Sequence, residues 1–391
     1  MSGMAIGLWI FAGLLVLLAL RIHVGVGMFI GGAAGFLAMN GGDPNALLFT
    51  LNHLAYARLS NYDLAVIPLF MLMGQFATHG GLSKSLFRCA AAFLGHWRGG
   101  LAMAATGACA GFGAICGSSL ATAATMAQVA LPELRAHGYS GRLATGTLAA
   151  AGTLGIMIPP SVPLVIYAVL TQESIGKLFV LVFVVVIVGI YGGWANPTEA
   201  ASIGAAACGV LAVVKGGLRW PGIRQSLIGT AHATAMIFLV LLGADLLNSA
   251  LAITQLPTEL AEWVKHSGLP PLAVLVAVLL CYVLLGCVMD SLAMILLTIP
   301  IFYPMVMGLE FWGMSVPDKS VWFGILSLMV VEIGLVHPPV GMNLFIIQKL
   351  AKDVPYIETA KGVMPFLASD FLRIGFLVAF PALSLWLVRA M

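Results

Sequence analysis

GIMIPPSVPLVIY at 155–167 and GLVHPPVGMNLFI at 334–346 decide how this 391-residue chain folds. Each puts two adjacent prolines inside an apolar run that otherwise reads as a membrane helix. A proline within a helix removes one backbone donor and clashes with the preceding turn, at about 3 kcal/mol. The defect occurs twice, at 159–160 and again at 338–339, in matching surroundings. Pro159 and Pro160 free carbonyls of the turn before them, around Gly155 to Met157, and Pro338 and Pro339 do the same around Gly334 to Val336. Bare carbonyls in hydrocarbon are costly unless buried in protein or bound to a cation. Sodium suits such oxygens, and a helix broken there adds the partly negative end of its dipole. A simple proline kink accounts for one such pair. Two pairs in matched places favour a cation site.

The surroundings are those of a membrane protein. The chain is 61% hydrophobic and 8% charged, with mean hydropathy +1.05, whereas a soluble domain carries about a quarter charged residues. Many runs approach the roughly 20 apolar residues that cross a bilayer as a helix. Period-2 alternation is missing, which argues against a β-barrel. A net charge of +3 is too small to suggest nucleic acid. The six cysteines lie in apolar segments, form no CxxC pair and read as small core residues. The N-terminal stretch has no basic leader and reads as a first transmembrane helix.

The plan of the chain repeats. Residues 1–62 hold scaffold helices, with spans at 4–20 and 24–40 and then a polar loop containing Asn52, His53, Arg58, Asn61 and Asp63. The first repeat covers 63–180. It has a span, an amphipathic interfacial arm with Lys84, Arg88 and Arg98, an apolar stretch at 101–131 and the first broken helix at 143–170. The 101–131 stretch is too long for one span and too short for two, so it fits a re-entrant hairpin with CGSSLAT (116–122) at its tip. Linking scaffold helices occupy 181–230. The second repeat, 231–391, has an acidic arm, a hairpin at 273–303 with CVMDSLA (287–293) at its tip, a broken helix at 321–350 and a C-terminal helix. Because the first arm is basic and the second acidic, the positive-inside rule turns the copies in opposite directions.

Polar groups at the tips and breaks are the candidates for binding. The first tip offers the hydroxyls of Ser118, Ser119, Thr122 and Thr125, and the second offers Asp290, Ser291 and Thr298. Small hydroxyl residues also serve close helix packing, but an acid within LLGCVMDSLAMILL is a functional candidate by default. Capping a half-helix with that acid is compatible with lining a site. Glu332 and Asn343 flank the second break, and His337 precedes Pro338, where it either touches an acidic ligand or sits neutral and hydrogen-bonded. Asp245 reads as paired with a polar neighbour between helices. HExxH, GxSxG and P-loop patterns are missing. Asp63 and Asp245 make a poor aspartyl-protease pair, so the chain reads as a transporter and not an enzyme.

GTLGIMIPPSVPLVIYAVLTQESIGKLF (152–179), IYGGWANPTEAASIGA (190–205), GCVMDSLAMILLTIPIF (286–302) and EIGLVHPPVGMNLFI (332–346) resemble the large membrane subunit of tripartite ATP-independent periplasmic (TRAP) transporters. The resemblance covers nearly the whole chain. It implies an all-α integral membrane protein of the bacterial inner membrane, an inverted-repeat elevator-type transporter with two re-entrant helical hairpins and two discontinuous helices. It implies sodium-driven import of a carboxylate such as a C4-dicarboxylate or a sialic acid. It also implies a small four-helix membrane subunit and a periplasmic substrate-binding protein as partners. Sodium would be the only metal. Carried onto this sequence, the sodium sites take Ser118, Ser119, Thr122, Gly155, Met157 and Pro159, and in the second half Asp290, Ser291, Gly334, Val336 and Pro338. Substrate is assigned to Ser161, Thr298, His337, Val340, Gly341 and Asn343. A stand-alone sodium–dicarboxylate carrier and an uncoupled channel or structural subunit remain as alternatives.

Two departures stand out. His337 occupies a position where the family usually has threonine or a similar small residue. LFVLVFVVVIVGIYGGW (178–194) has room for one span where the family has two. One crossing there would place Lys215, Arg219 and Arg224 outside, against the positive-inside rule. The expectation is that a segment of about 50 residues, a size the resemblance implies, is missing between Phe179 and Leu181.

Overall fold

The computed structural model describes residues 3–20, 22–158, 161–171, 197–287 and 289–389. The readings made on Pro159, Pro160 and 178–194 lie outside these residues.

Helices α1 (Gly3–Ala19) and α2 (Val24–Met39) open the chain. In place of the expected polar loop there is a helix, α3 (Asn45–Leu59). NALLFTLNHLAYARL has no glycine or proline to break it, and its alanines and leucines carry good helix propensity. α3 buries none of its residues. Its Arg58 grips Asp245 through two hydrogen bonds, one of them 2.6 Å from Nη2 to Oδ1. A short 3-10 turn at Tyr62–Ala65 then leads into α4 (Val66–His79).

The first repeat continues through α5 (Leu82–Leu94), the amphipathic arm, to a hairpin of α6 (Gly100–Cys116) and α7 (Ser119–Ala136). Gly117 makes the turn at φ +62, a left-handed conformation that glycine adopts without strain. α6 has 17 residues, about 26 Å at 1.5 Å per residue, against the roughly 30 Å of a bilayer core. α8 (Gly141–Gly152) and the short α9 (Leu154–Met157) lead to the first double proline, and α10 (Val162–Thr171) follows it.

α11 (Pro197–Val214) packs on α4, and the 34-residue α12 (Trp220–Ile253) packs along α2. Glycines let α2 and α12 touch backbone to backbone. A Cβ at Gly32 would stand 2.7 Å from the Leu247 amide nitrogen, and one at Gly243 2.3 Å from the Gly25 oxygen. The second repeat runs through α13 (Leu256–His266), the hairpin α14 (Pro271–Gly286) and α15 (Ser291–Met307), and α16 (Val316–Val336). After the second break come α17 (Met342–Leu350), α18 (Tyr356–Ala379) and α19 (Ala382–Arg389).

The two repeats are built alike. The outgoing arm of each hairpin packs on the near half of its own broken helix, α6 on α9 and α14 on α16. Both crossings close on a glycine pair. A Cβ at Gly113 would lie 2.5 Å from Gly155 Cα, and one at Gly286 2.8 Å from Gly334 Cα. The return arms cross over: α7 packs on α17 and α15 on α10. α16 is buried on nearly all sides at the centre of this core, as a helix apolar all round should be. Cys109, Cys116 and Cys287 are core residues, but Cys89 on α5 is exposed, contrary to its expected burial.

Candidate ion and substrate site

Both hairpin tips begin their return helix in the same way. Ser118 caps α7, its Oγ accepting from the Ala121 amide at 3.4 Å. Asp290 caps α15, its Oδ2 accepting from the Ala293 amide, also at 3.4 Å. Each cap spares one of the orphan donors at a helix start and leaves others facing outward.

The two tips meet at one cavity of about 420 Å³. Gly117 to Leu120 line it from the first hairpin, Asp290 to Leu292 from the second, and Ile156, Val162 and Pro163 from around the first break. The opposite wall is scaffold: His23 and Val24 at the head of α2, Met71 of α4, and Met236, Ile237 and Val240 of α12. That wall is apolar apart from His23. Nδ1 of His23 accepts from the Gly25 amide at 3.3 Å, and the ring lines the cavity together with Asp290.

Two oxygens crowd Gly155, ahead of the first break. A Cβ at Gly155 would fall 2.5 Å from Thr122 Oγ1 and 2.7 Å from the Ser118 carbonyl. Thr122 is fully buried, and its hydroxyl has no hydrogen-bond partner. Met157 stands on the same short helix, with its sulfur 4.0 Å from Arg373 Nη2. Ser161 caps α10, accepting from the Leu164 amide at 3.4 Å.

The second break is different. The Tyr356 hydroxyl lies 2.8 Å from the Pro339 carbonyl and 2.9 Å from that of Val340. It covers oxygens on the far side of the double proline. Before the prolines, the Gly334 carbonyl accepts from the His337 amide at 3.2 Å. Gly341, at φ +56, is approached by the Leu335 and His337 carbonyls, each 3.2 Å from where its Cβ would be. Pro338 and Val336 lie in this segment, away from the cavity walls.

The structure thus brings Ser118, Ser119, Asp290 and Ser291 to one cavity, with Thr122 and Gly155 just behind it. Several of the other candidates are placed elsewhere, Gly334 and Val336 among them. Thr298 sits two turns down α15, its hydroxyl donating to the Met294 carbonyl at 2.7 Å. Asn343 is buried, its Nδ2 3.4 Å from the Ala149 carbonyl and its Oδ1 unpartnered. His337 packs edge-on against Phe371, beside Cys287. Val340, Gly341 and Pro338 belong to the loop covered by Tyr356. Sequence reasoning missed the scaffold wall. The one signal for it was His23, a histidine between two apolar helices.

Comparison with known proteins identifies the family. The family pattern "Tripartite ATP-independent periplasmic transporter, DctM component" matches in two stretches, residues 11–181 and 179–383. The chain is 32% identical over 374 residues to the C4-dicarboxylate TRAP transporter large permease protein DctM of Pseudomonas aeruginosa, covering 83% of this chain and 86% of that one. It is 28% identical over 378 residues to the sialic acid TRAP transporter large permease protein SiaM of Vibrio cholerae (84% and 87%). To the ectoine TRAP transporter large permease protein TeaC of Halomonas elongata it is 27% identical over 406 residues (90% and 92%). Among solved structures, the YdaH transporter of Alcanivorax borkumensis aligns with a TM-score of 0.49 at 15% identity, over 86% of this chain and 88% of that one. The alignment to the Pseudomonas protein runs over 374 positions but takes in 83% of 391 residues, about 325, so about 50 positions face a gap in this chain. The chain belongs to the DctM family of TRAP transporter large permeases, multi-pass proteins of the inner membrane that carry solutes and catalyse no reaction.

Proposed function

We propose that this subunit uses a sodium gradient to import an organic acid by an elevator motion. The acid is handed over by a periplasmic binding protein, and a small four-helix membrane subunit completes the complex. The observation that carries this reading is the meeting of two capped hairpin tips at one cavity against an apolar scaffold wall. The starts of α7 and α15 turn spare amides and positive dipole ends toward that cavity, which suits a carboxylate. The names of the relatives, which include C4-dicarboxylates and sialic acid, point the same way.

The residues fit sodium at the first break. Thr122 Oγ1 and the Ser118 carbonyl crowd the space that a Cβ at Gly155 would fill, and the Thr122 hydroxyl is otherwise unpaired. Bound there, sodium would supply positive charge beside the helix starts that face the acid. Asp290 makes that charge matter, because a lone carboxylate on the cavity wall repels an incoming acid. Acid and cation are then favoured together, which is the physical basis of coupled uptake. The cavity wall is divided between core and scaffold, and the scaffold side offers few polar bonds to break when the core slides.

The test is uptake by reconstituted complex, with labelled C4-dicarboxylates and sialic acid offered in turn. Sodium and the binding protein are each supplied or withheld. Uptake that is the same in sodium and in choline would end the coupling assignment. Sodium-dependent uptake without the binding protein would favour the stand-alone carrier.

We also propose that a membrane-spanning segment is missing near 179–181. The chain enters the first hairpin from the end of the arm, returns, and crosses through α8 to α10. α11 runs beside α4 toward the same end as the arm: a Cβ at Gly216 would stand 2.3 Å from the Gly80 oxygen. Thr171 and Pro197 therefore both lie toward the opposite face, whereas the apolar sequence between them has room for one span, which would end on the face of the arm. The stretch between them is too short for two spans of about 20 residues. The two-part family match and the gap of about 50 positions support the same reading.

A further inference from the structure

α16 carries one carboxylate, Glu332, into the centre of the core. It is 1% exposed, and neither of its oxygens has a hydrogen-bond partner. Asp245, the other buried acid on a long helix, is held by both arms of the Arg58 guanidinium. Among the described residues, Glu332 has no such cation. The side chain that acts on it is Ser119, from the hairpin tip of the other repeat, close by but without the geometry of a full hydrogen bond. The cations on and around α16 are engaged elsewhere: Lys319 donates to the Met307 and Leu309 carbonyls, each at 2.9 Å, and Arg373 pairs with Asp370. Asp290 on α15 lines the cavity, as does His23.

Ser119 Oγ is itself unpaired, and so is Thr122 Oγ1 one turn further along α7. Both residues are buried. Unpaired side-chain oxygens are thus found on Glu332, on Ser119 within its reach and on Thr122 one helical turn beyond Ser119, and the Ser118 carbonyl lies 2.7 Å from where a Cβ at Gly155 would be. Native cores rarely leave buried polar groups unsatisfied, and an isolated buried carboxylate is among the costliest of them. One small cation among these oxygens would satisfy them together.

We propose that Glu332 supplies the negative charge for the cation at the first hairpin, with Ser119 Oγ and Thr122 Oγ1 as neutral ligands. This rests on the sodium reading above and adds to it a ligand from the opposite repeat. A cation held in this way pins the tip of the first hairpin to the buried helix of the second, so cation binding and the contact between repeats become one event.

The test is thermal unfolding of the purified full-length chain in detergent, titrated with sodium chloride against choline chloride. Wild type should be stabilised saturably by sodium. Glu332→Gln, which keeps the shape and removes the charge, should raise the half-saturating sodium concentration at least about tenfold. Glu358→Gln, on the exposed end of α18, serves as control and should leave it unchanged. A Glu332→Gln midpoint within twofold of wild type would overturn the inference and leave the sodium reading standing. Wild type that responds equally to sodium and choline would overturn both. Should the Gln variant not fold, carbodiimide labelling of Glu332 in wild type, read by mass spectrometry, decides the matter. Sodium should suppress the labelling where choline does not, and equal labelling in the two salts would overturn the inference.

Discussion

Thr122 and Gly155 show how much rests on single atoms. Thr122→Val keeps the volume and the branching and removes only Oγ1. It should weaken sodium-induced stabilisation about tenfold while changing salt-free stability by about 1 kcal/mol or less. An unchanged sodium midpoint would take the hydroxyl out of the site. Gly155→Ala places a methyl 2.5 Å from that hydroxyl, so it should abolish the sodium response and destabilise the fold by about 1–3 kcal/mol. At Arg58 and Asp245 the expected effect is structural. The pair is 18% and 7% exposed, and losing one partner strands the other, at about 2 kcal/mol after allowing for water at the arginine. Arg58→Leu with Asp245→Leu should be less destabilising than either change alone. Thermal melts in which the two losses simply add would show that the pair is uncoupled.

At the scale of elements, the caps and turns are legible in the chain itself. A glycine followed by serine, or an aspartate before a run of helix formers, ends one helix and starts another by purely local chemistry. The same logic fails at α3, where polar side chains suggest a loop. The backbone there has no breaker, and Arg58 cannot be matched from sequence to a partner 187 positions away. Lys319 and Tyr356 are fixed in the same non-local way. Lys319 ties the start of α16 to the end of α15 through two carbonyls. Lys319→Met leaves those carbonyls unpaired and should cost about 1–3 kcal/mol in a detergent melt, with the sodium midpoint unchanged. A stability equal to wild type would mean that other donors reach the carbonyls. At the second break Tyr356 from α18 covers the Pro339 and Val340 oxygens, a contact no local pattern announces.

For the whole molecule, the orientation of the second half is the decisive question. Lys215 lies beside Gly80, Leu82 and Ser85 at the basic end of the first arm. In cells, Cys89 on that arm and a cysteine placed at 215, each the sole cysteine of its variant, should react with a membrane-impermeant maleimide from the same side. Labelling from opposite sides would refute the shared face of Thr171 and Pro197 and the missing segment with it.

The sequence alone determined that this chain lives in a bilayer, that its plan occurs twice, and that each copy holds a hairpin and a broken helix. Those features depend on hydropathy, glycine and proline, which act over a few neighbouring residues. Tertiary structure decided which polar groups meet. It set Ser119 within reach of Glu332, brought Asp290 and His23 to one cavity, separated His337 and Asn343 from it, and built the scaffold wall from Met71, Met236 and Val240. Contacts of that kind join helices far apart in the chain, and no local pattern encodes which face of one helix will lie against which face of another.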